Sequence, residues 1–447
     1  MTRMRVLAVV GLAVGLAACA SSVQTPPPGP ADIPALEAER QRRPADASLL
    51  TRLGIAYFEA KDYSHARDVL VATMALDTRP YAAAVYLGLS YEELGVLDSA
   101  RASFTQAAQL ASSSAQRAEI ADRLSLLTRK ELLQDAQRAL SQEASLGNAP
   151  APENTIAVFP FRYRGANEEL RPLERGLSHL VMTDLSKVSR LRLLERERVQ
   201  VLIDEMKLAD SGRVEPATGA RSGRMLRAAS VVQGSLQEEP GQARLRLDAN
   251  VVNASSSTVT ATGAATDRLQ QLFEVEKQVV LQLLERMGIN LTPAERRAIS
   301  ERPTADLQAF LAFSRGLEAE DRGDFAAAAE QFNAAIARDP NFRTARDKRA
   351  QNLRMATAVR MTPMQLAGMQ EGMVDRPDRQ PGTQTPRVIT LRNVISGSVP
   401  SHGGLIQYQV PAGRPPVVRP PLPEALQQDD PRVPGLTGTI IIIITRP

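Results

Sequence analysis

The chain is almost without cysteine, tryptophan and histidine, and each shortage excludes a kind of protein. One cysteine among 447 residues rules out a disulfide framework and any zinc or iron–sulfur site that needs several thiolates. Three histidines argue against a metal cage built from imidazole groups. Aromatic residues make up only 4% of the chain, and none is tryptophan. We therefore expect neither a metal ion nor a cofactor.

Charge is nearly balanced, with 54 Lys and Arg against 50 Asp and Glu. Nucleic-acid-binding proteins usually present a clustered positive face, so this balance predicts no nucleic-acid partner. A single hydrophobic core is commonly built from about 100–150 residues. A chain of 447 residues therefore predicts two or more folded units.

The first twenty residues have the pattern of an export signal. Arg3 and Arg5 form a short positive segment, and an apolar run follows over residues 6–16. That run is too short to span a bilayer but suits the apolar part of a signal peptide. It leads into a sequence that resembles the bacterial lipobox, made of Leu16, Ala17, Ala18 and Cys19. The resemblance implies that residues 1–18 are removed and that Cys19 is diacylated. The alternative is an ordinary secretory signal with a chance cysteine.

Ala20, and not an aspartate, follows Cys19. By the same resemblance, this favours transport to the outer membrane over retention in the inner membrane. Acyl chains hold an otherwise soluble protein at a membrane, since each buried methylene contributes about 0.8 kcal/mol. We therefore expect a lipid anchor on the periplasmic face of the outer membrane of a Gram-negative-type bacterium. Residues 19–45 then form a lipidated tether.

A pattern recurs with a spacing of 34 residues between residues 50 and 110. It resembles the tetratricopeptide repeat, in which glycines let paired helices approach, alanines fill the tight contact and larger residues fill the space between repeats. The positions that carry it are Gly54, Tyr57, Ala66, Gly88, Tyr91, Ala100 and Phe104. Two repeats cannot bury their faces alone, so a further helix is expected. We assign residues 46–147 to this helical unit.

A degenerate copy of the repeat is predicted over residues 303–356. Arg315 and Ala319 replace the usual leucine and tyrosine. The positions that fit the pattern are Gly316, Ala328, Phe332 and Pro340. Such helices have no chemistry of their own, so we interpret both units as protein-binding modules with a concave groove for a partner's peptide. The alternative is that the helices are scaffold and pack within the molecule.

The central segment, residues 154–292, alternates between strand and helix patterns. Residues 156–159 form a continuous apolar run, which is typical of a strand covered on both faces. Residues 244–252 alternate between polar and apolar, which predicts a strand with one buried face. Apolar helical stripes lie between the strands and after the last one. This order predicts a mixed sheet layered with helices, and hence an α+β multidomain chain with helical solenoid segments on both sides of the sheet.

The same segment resembles the periplasmic domain of the curli secretion channel (CsgG/HfaB-like) family and is also similar to the N-terminal domain of TolB. The resemblance rests on the order and spacing of four stretches, residues 156–161, 194–196, 202–205 and 229–235. It implies a periplasmic domain of an outer-membrane lipoprotein.

The chain departs from the pore-forming members of that family in one respect. Those members insert two long hairpins, one between the third and fourth strands and one before the last helix. A membrane-crossing strand needs about 9–11 residues. Here only residues 237–243 and about three residues near 266–268 are available at these two places. We therefore expect the soluble platform of the family without its pore-forming hairpins.

Motifs for catalysis are absent from the sequence. It contains neither a phosphate-binding G-x-x-x-x-G-K-[ST] loop nor a G-x-S-x-G nucleophile elbow, so we predict no catalytic residue and no enzyme. His179 lies off the apolar stripe of its helix, which predicts a surface histidine. Arg196, between Glu195 and Glu197, is interpreted as part of a charged helix start, with a binding role as the alternative.

Residues 357–447 have a different composition, because they hold fourteen of the thirty prolines. Strand-like stretches at 388–391, 405–410 and 439–445 predict a proline-rich linker followed by a small β unit. The alternative is that this tail adds a strand to the sheet of a partner.

These features together predict a non-enzymatic lipoprotein that acts as an assembly platform in curli-like secretion or envelope assembly. Protein partners would bind the helical repeats, the lipid would bind the membrane, and self-association into a ring follows by resemblance alone. The alternative is a TolB-like monomeric adaptor for envelope integrity that binds periplasmic or peptidoglycan-associated partners. Sequence identifies neither the partner nor the exported cargo.

Overall fold

The computed structural model describes residues 28–77, 79–143, 151–206, 215–238 and 244–369. Predictions for the signal peptide, for Cys19 and for the strand-like stretches of the tail concern residues outside these ranges. Helices lie at both ends of the described chain, and the strands lie between them.

In the described ranges, six α-helices precede the sheet, and each packs against the next along the chain. They are α1 (Ile33–Arg42), α2 (Ala47–Glu59), α3 (Tyr63–Leu76), α4 (Tyr81–Glu93), α5 (Leu97–Leu110) and α6 (Ser114–Ser141). Aspartate caps fix where two of them begin. Asp46 accepts a hydrogen bond from the Leu49 amide at 3.0 Å, and Asp62 accepts one from the His65 amide at 3.2 Å. Such caps satisfy amides that have no partner in the first helical turn.

The strands form a single mixed sheet in the order β3-β1-β4-β5-β6, with β2 also paired to β4. They are β1 (Thr155–Val158), β2 (Arg162–Tyr163), β3 (Arg192–Leu193), β4 (Ser230–Glu238), β5 (Arg244–Asn253) and β6 (Val259–Arg268). The strand β1 runs parallel to β3 and β4, whereas β4, β5 and β6 are antiparallel. The register places Gly234, Ala249 and Gly263 side by side across the three antiparallel strands.

Four helices cover the two faces of this sheet. They are α7 (Leu173–Leu185), α8 (Arg196–Glu205), α9 (Pro216–Leu226) and α10 (Leu272–Arg286). Alternate residues of each strand point to opposite faces. Val158 and Val232 therefore pack with α7 and α10 on one face, whereas Ala157 and Val231 pack with α8 and α9 on the other.

Five further helices follow the sheet. They are α11 (Pro293–Ser300), α12 (Leu307–Asp321), α13 (Phe325–Arg338), α14 (Arg343–Arg360) and α15 (Pro363–Leu366). Rings from three of these segments meet in one core, where the Phe313 centroid lies 5.3 Å from that of Phe332 and 4.9 Å from that of Phe342. This core is continuous with the apolar layer between the sheet and α7. Helix α14 extends to Arg360, past the predicted start of the tail at residue 357.

The predicted fold class is confirmed. The described chain is α+β, with a mixed six-stranded sheet and helical segments on both sides of it in sequence. The alternation of apolar and polar residues in strands and the apolar stripes of helices can be read from local sequence. These patterns were therefore enough to predict this architecture.

Three glycines mark close approaches between the paired helices of the predicted repeats. A Cβ atom at Gly54 would lie 2.5 Å from Leu70 Cγ, and one at Gly88 would lie 2.7 Å from Phe104 Cε1. A Cβ atom at Gly316 would lie 2.5 Å from Phe332 Cε1. Each distance is shorter than van der Waals contact, so the helix pairs pack as closely as they do because these positions lack a side chain.

We expect Gly88→Ala to lower the thermal midpoint of the protein. The added methyl group would meet the fully buried Phe104 ring. Overpacking of this kind costs about 1–3 kcal/mol, which exceeds the gain of up to about 1 kcal/mol from alanine's better helix propensity. Gly29→Ala is the control, because no atom lies within 4 Å of its Cβ position. A midpoint for Gly88→Ala equal to that of the control, measured by circular dichroism, would contradict the close-packing argument.

Candidate functional site

The lipobox residues Leu16, Ala17, Ala18 and Cys19 lie before residue 28, where the described chain begins. Lipidation at Cys19 therefore stays a prediction. Within the described ranges, no helix combines the length and apolarity needed to cross a membrane.

The other predicted repeat positions fall into a buried group and an exposed group. Ala66, Ala100 and Ala328 have no exposed surface. Tyr57 and Tyr91 are half-buried, and Tyr57 Oη donates a hydrogen bond to Glu37 Oε1 at 2.9 Å. Pro340 is exposed and lies two residues beyond the end of α13. The structure thus brings the predicted glycine, alanine and large apolar residues together, and leaves Pro340 outside the core.

Helices α2, α4 and α6 form a groove, and another segment of the same chain already occupies it. We call it the N-terminal groove, and its lining residues are Phe58 of α2, Leu89 and Glu93 of α4, and Glu119 and Arg123 of α6. Residues 358–366 of the same chain line its other side. Leu366 is only 4% exposed there, and its carbonyl oxygen accepts a hydrogen bond from Tyr81 Oη at 3.0 Å.

The corresponding helix of the C-terminal repeat is also covered by the chain itself. Helix α12 packs on α7 of the sheet domain, and the His179 ring centroid lies 5.3 Å from that of Phe313. A Cβ atom at Gly176 would lie 2.0 Å from Ser314 Oγ, which shows how closely the two helices approach. Both predicted docking faces therefore take part in packing within the molecule, as the scaffold alternative predicts.

A buried set of charges joins the sheet domain to the C-terminal helices. We call it the junction cluster, and it consists of Arg175, Arg196, Glu197, Glu320, Asp321 and Lys348. Arg196, at the start of α8, is 7% exposed and binds Asp321 and Glu320 at the end of α12, the latter at 3.3 Å. Arg175 of α7 lies 3.3 Å from Asp321, and Lys348 of α14 lies 3.0 Å from Glu320. Four helices thus meet at these charges.

Two further contacts extend this network. Arg129 of α6 donates a hydrogen bond to the Asp321 carbonyl oxygen at 3.0 Å. The Asn352 amide of α14 donates one to Glu320 Oε1 at 3.2 Å. The N-terminal helices therefore reach the same point through α6, so that all three parts of the described chain contact it.

The protonation states in the cluster follow from its charges. Burial alone would lower the pKa of Arg196, but Asp321, Glu197 and Glu320 raise it above its usual value. Burial would raise the pKa of Glu197, but the positive charges of Arg196 and Lys348 lower it. These two groups are therefore held in their charged forms.

The prediction that His179 is a surface histidine is wrong. Its ring lies between α7 and α12, and burial lowers its pKa to about 3, with help from the nearby positive charges of Arg196 and Lys348. The apolar stripe of α7 showed only the face that packs on the sheet. A second helix from a distant part of the sequence covers His179, and no periodicity within α7 reveals that contact. The ring is therefore neutral at pH 7.

The alternative role for Arg196, binding to a partner, would require that its guanidinium group be free, and in the structure it is not. The side chain is engaged by three carboxylates of its own chain. Its partners Glu320 and Asp321 were not singled out from the sequence, because a run of charged residues at a helix end is typical of a solvated face.

A second buried charged group lies under the sheet, between α7 and α10. Lys277 contacts Asp184 and lies 3.2 Å from Glu276, and Lys187 lies 2.8 Å from Asp184. Burial, followed by the nearby Asp184 carboxylate, raises the pKa of Glu276 to about 8. Lys187 also donates to the Ala298 carbonyl oxygen at 2.8 Å, which ties α11 to this layer.

These arrangements are suited to holding helices together. The charged side chains of both groups are paired with one another across helices. In the part of the chain that the structure describes, no three His, Cys, Asp or Glu side chains are grouped to hold a metal ion.

Residues 137–238 match the family model of the curli production assembly/transport component CsgG. The match runs from the end of α6 to the end of β4 and includes all four stretches on which the resemblance rested. The resemblance of this part of the chain to the CsgG family is confirmed. Strands β5 and β6 and helix α10, which the resemblance also included, lie beyond the matched residues.

Two solved structures align with part of the chain, each with a TM-score of 0.22. Lipoprotein GNA1162 from Neisseria meningitidis is 14% identical, and the alignment covers 26% of this chain and 80% of that one. The LpoB C-terminal domain from Salmonella enterica is 10% identical, with 30% of this chain and 94% of that one covered. No curated protein matches the chain.

We expect Arg196→Met to destabilise the protein by about 3 kcal/mol, the lower end for removing one partner of a buried ion pair, because Asp321 then keeps only Arg175 and Glu320 keeps only Lys348. The control is Arg138→Met. Arg138 forms an exposed pair with Asp135, in which the side chains keep 64% and 55% of their surface, and such pairs contribute at most about 1 kcal/mol. Chemical denaturation measures both changes. Equal losses in the two variants would contradict a structural role for the junction cluster.

We expect His179 to make the protein less stable in acid. Its folded-state pKa of about 3 lies below the unfolded value of about 6.5, so the folded state binds fewer protons. The stability that this difference contributes is complete above about pH 6.5 and is lost as the pH falls toward 3. Between pH 6.5 and 4.5 the loss is about 2 kcal/mol. His179→Gln should remove that part of the pH dependence, whereas His65→Gln, at an exposed position, should leave it unchanged. Identical pH profiles for all three proteins would show that His179 is solvated.

Proposed function

We propose that the protein is an outer-membrane-anchored periplasmic lipoprotein that serves as a non-enzymatic assembly platform in curli-like secretion or envelope assembly. The observation that carries this proposal is the match of residues 137–238 to the CsgG family model. That model describes an assembly and transport component, which is a class of function based on protein contacts.

The connections between strands favour a platform over a channel. Five residues separate β4 from β5, and three residues separate β6 from α10. A hairpin that crosses a membrane needs about 9–11 residues in each of its two strands. Neither connection has that length, so the proposed role does not include conductance.

The buried junction also supports a platform. A platform must hold its binding surfaces at fixed positions, which requires that its parts do not move independently. The sheet domain and the C-terminal helices share one apolar core, and the junction cluster adds directional contacts between them. Helix α6 connects the N-terminal helices to the same point through Arg129.

The proposed membrane attachment depends on Cys19. We expect wild-type protein to incorporate a clickable palmitate and to fractionate with the outer membrane, whereas Cys19→Ala should lose the label and accumulate as an unprocessed precursor. Ala20→Ser is the control and should behave as wild type. A Cys19→Ala protein that is processed to the same size and remains with the outer membrane would refute the anchor.

The oligomeric state tests the platform itself. Light scattering on the purified lipoprotein in mild detergent should give a closed assembly of several copies. A monomer would instead favour the TolB-like adaptor. Stable conductance in a planar bilayer would contradict the proposal that the pore-forming hairpins are missing.

A further inference from the structure

Residues 361–369 behave as a ligand of the N-terminal groove. Leu366 and Ala367 are each 4% exposed, and Met361 and Met369 pack against the same apolar cluster of the N-terminal helices. The segment lies more than 260 residues after α4 in sequence, yet it is buried against that helix. Tyr81 of α4 and Leu366, which are 285 residues apart, form a hydrogen bond.

Local hydrogen bonds shape the segment, and few contacts with the groove are polar. Thr362 and Gln365 form a capping box, in which the Thr362 amide donates to Gln365 Oε1 at 3.0 Å and the Gln365 amide donates to Thr362 Oγ1 at 3.2 Å. These bonds lie within the segment and need no groove. Tyr81 Oη supplies a hydrogen bond across the interface, to the Leu366 carbonyl oxygen at 3.0 Å. Attachment therefore depends chiefly on the burial of small apolar surfaces.

The fit between segment and groove is incomplete. A cavity of about 110 Å³ remains between them, with Phe58 and Leu89 on the groove side and Met361 and Leu366 on the segment side. This cavity is partly open to solvent, and about 10–15 Å³ of such space is enough for one water molecule, so the segment does not fill the groove completely. A side chain larger than leucine at the position of Leu366 has room in this cavity and would gain contacts that the native segment lacks.

We propose that residues 361–369 are a displaceable internal ligand, and that the groove accepts in their place a partner's apolar helical turn with a bulkier side chain at the Leu366 position. Such a partner would compete with the chain's own segment, so docking releases residues 361–369 from the N-terminal helices. This inference deepens the proposed platform function. Its test requires neither the lipid anchor nor secretion.

Charge restricts the partner further. Glu93 and Glu119 line the same cavity, and Arg123 is paired with Glu92 at 2.7 Å. Burial, together with Asp122, raises the pKa of Glu119. An acidic side chain inserted at the Leu366 position would add negative charge beside these carboxyl groups at an energetic cost. The expected partner turn is therefore apolar at this point and not acidic.

The first experiment compares protein variants. The probe is a fluorescein-labelled peptide of residues 361–369, titrated into the full mature chain without its acyl groups. The internal segment occupies the groove in wild type, so the apparent affinity is reduced by the fraction of molecules that are open. We expect Leu366→Asp protein to bind the probe at least tenfold more tightly than wild type. Leu353→Asp, the same change at a 45% exposed position of α14, should bind as wild type does.

The second experiment compares peptides on the Leu366→Asp protein. A peptide with Leu366→Phe should bind at least tenfold more tightly than the native peptide, and one with Leu366→Asp should not bind. If Leu366→Asp unfolds the protein, Tyr81→Phe replaces it, since this variant loses only the hydrogen bond to Leu366 and should bind the probe about threefold more tightly than wild type. Equal binding by opened and wild-type protein, or no preference for phenylalanine, would overturn the inference. Either result would leave the anchor and the oligomer of the proposed function intact.

Discussion

The contact between Arg196 and the carboxylates of Glu320 and Asp321 is the interaction on which the arrangement of the described chain depends. These groups are 124 and 125 residues apart in sequence, and both sides of the contact are almost fully buried. A buried charge without a partner is strongly destabilising, so α8 and α12 must meet in this register or lose several kcal/mol. Apolar burial, which is non-directional, would tolerate other registers. The ion pairs thus supply the directional part of the contact.

Once α12 is fixed against the sheet domain, the remaining packing follows. The aromatic core around Phe313 becomes continuous with the layer between the sheet and α7. Helix α14 then lies along α6 and brings the chain back to the N-terminal helices, where residues 361–369 enter the groove beside α4. The N-terminal and C-terminal helical units are therefore in contact with each other. Both use their first helices to contact other parts of the same molecule.

Sequence predicted what depends on local burial and failed where distant segments meet. The strand alternation at residues 244–252 and the apolar run at 156–159 identified the sheet, because the period of two is visible within each strand. Gly88 likewise indicated a close helix approach, although Phe104, which was predicted to fill the space between repeats, is the side chain that lies against it. The burial of His179 was missed, since its cover comes from α12. The carboxylates that hold Arg196 looked like ordinary surface charges, because charge runs usually face solvent.

A rigid junction and a weakly filled groove serve different purposes in one scaffold. The junction cluster is dense in paired charges, and separating its helices would break these ion pairs together with the apolar core that the sheet domain and the C-terminal helices share. The N-terminal groove is held by small apolar contacts and retains an unfilled cavity, so opening it costs much less. We therefore expect residues 361–369 to separate from the N-terminal helices more readily than α12 separates from the sheet domain. A partner could then replace residues 361–369 without disturbing the orientation of the sheet domain, which is what the proposed platform requires.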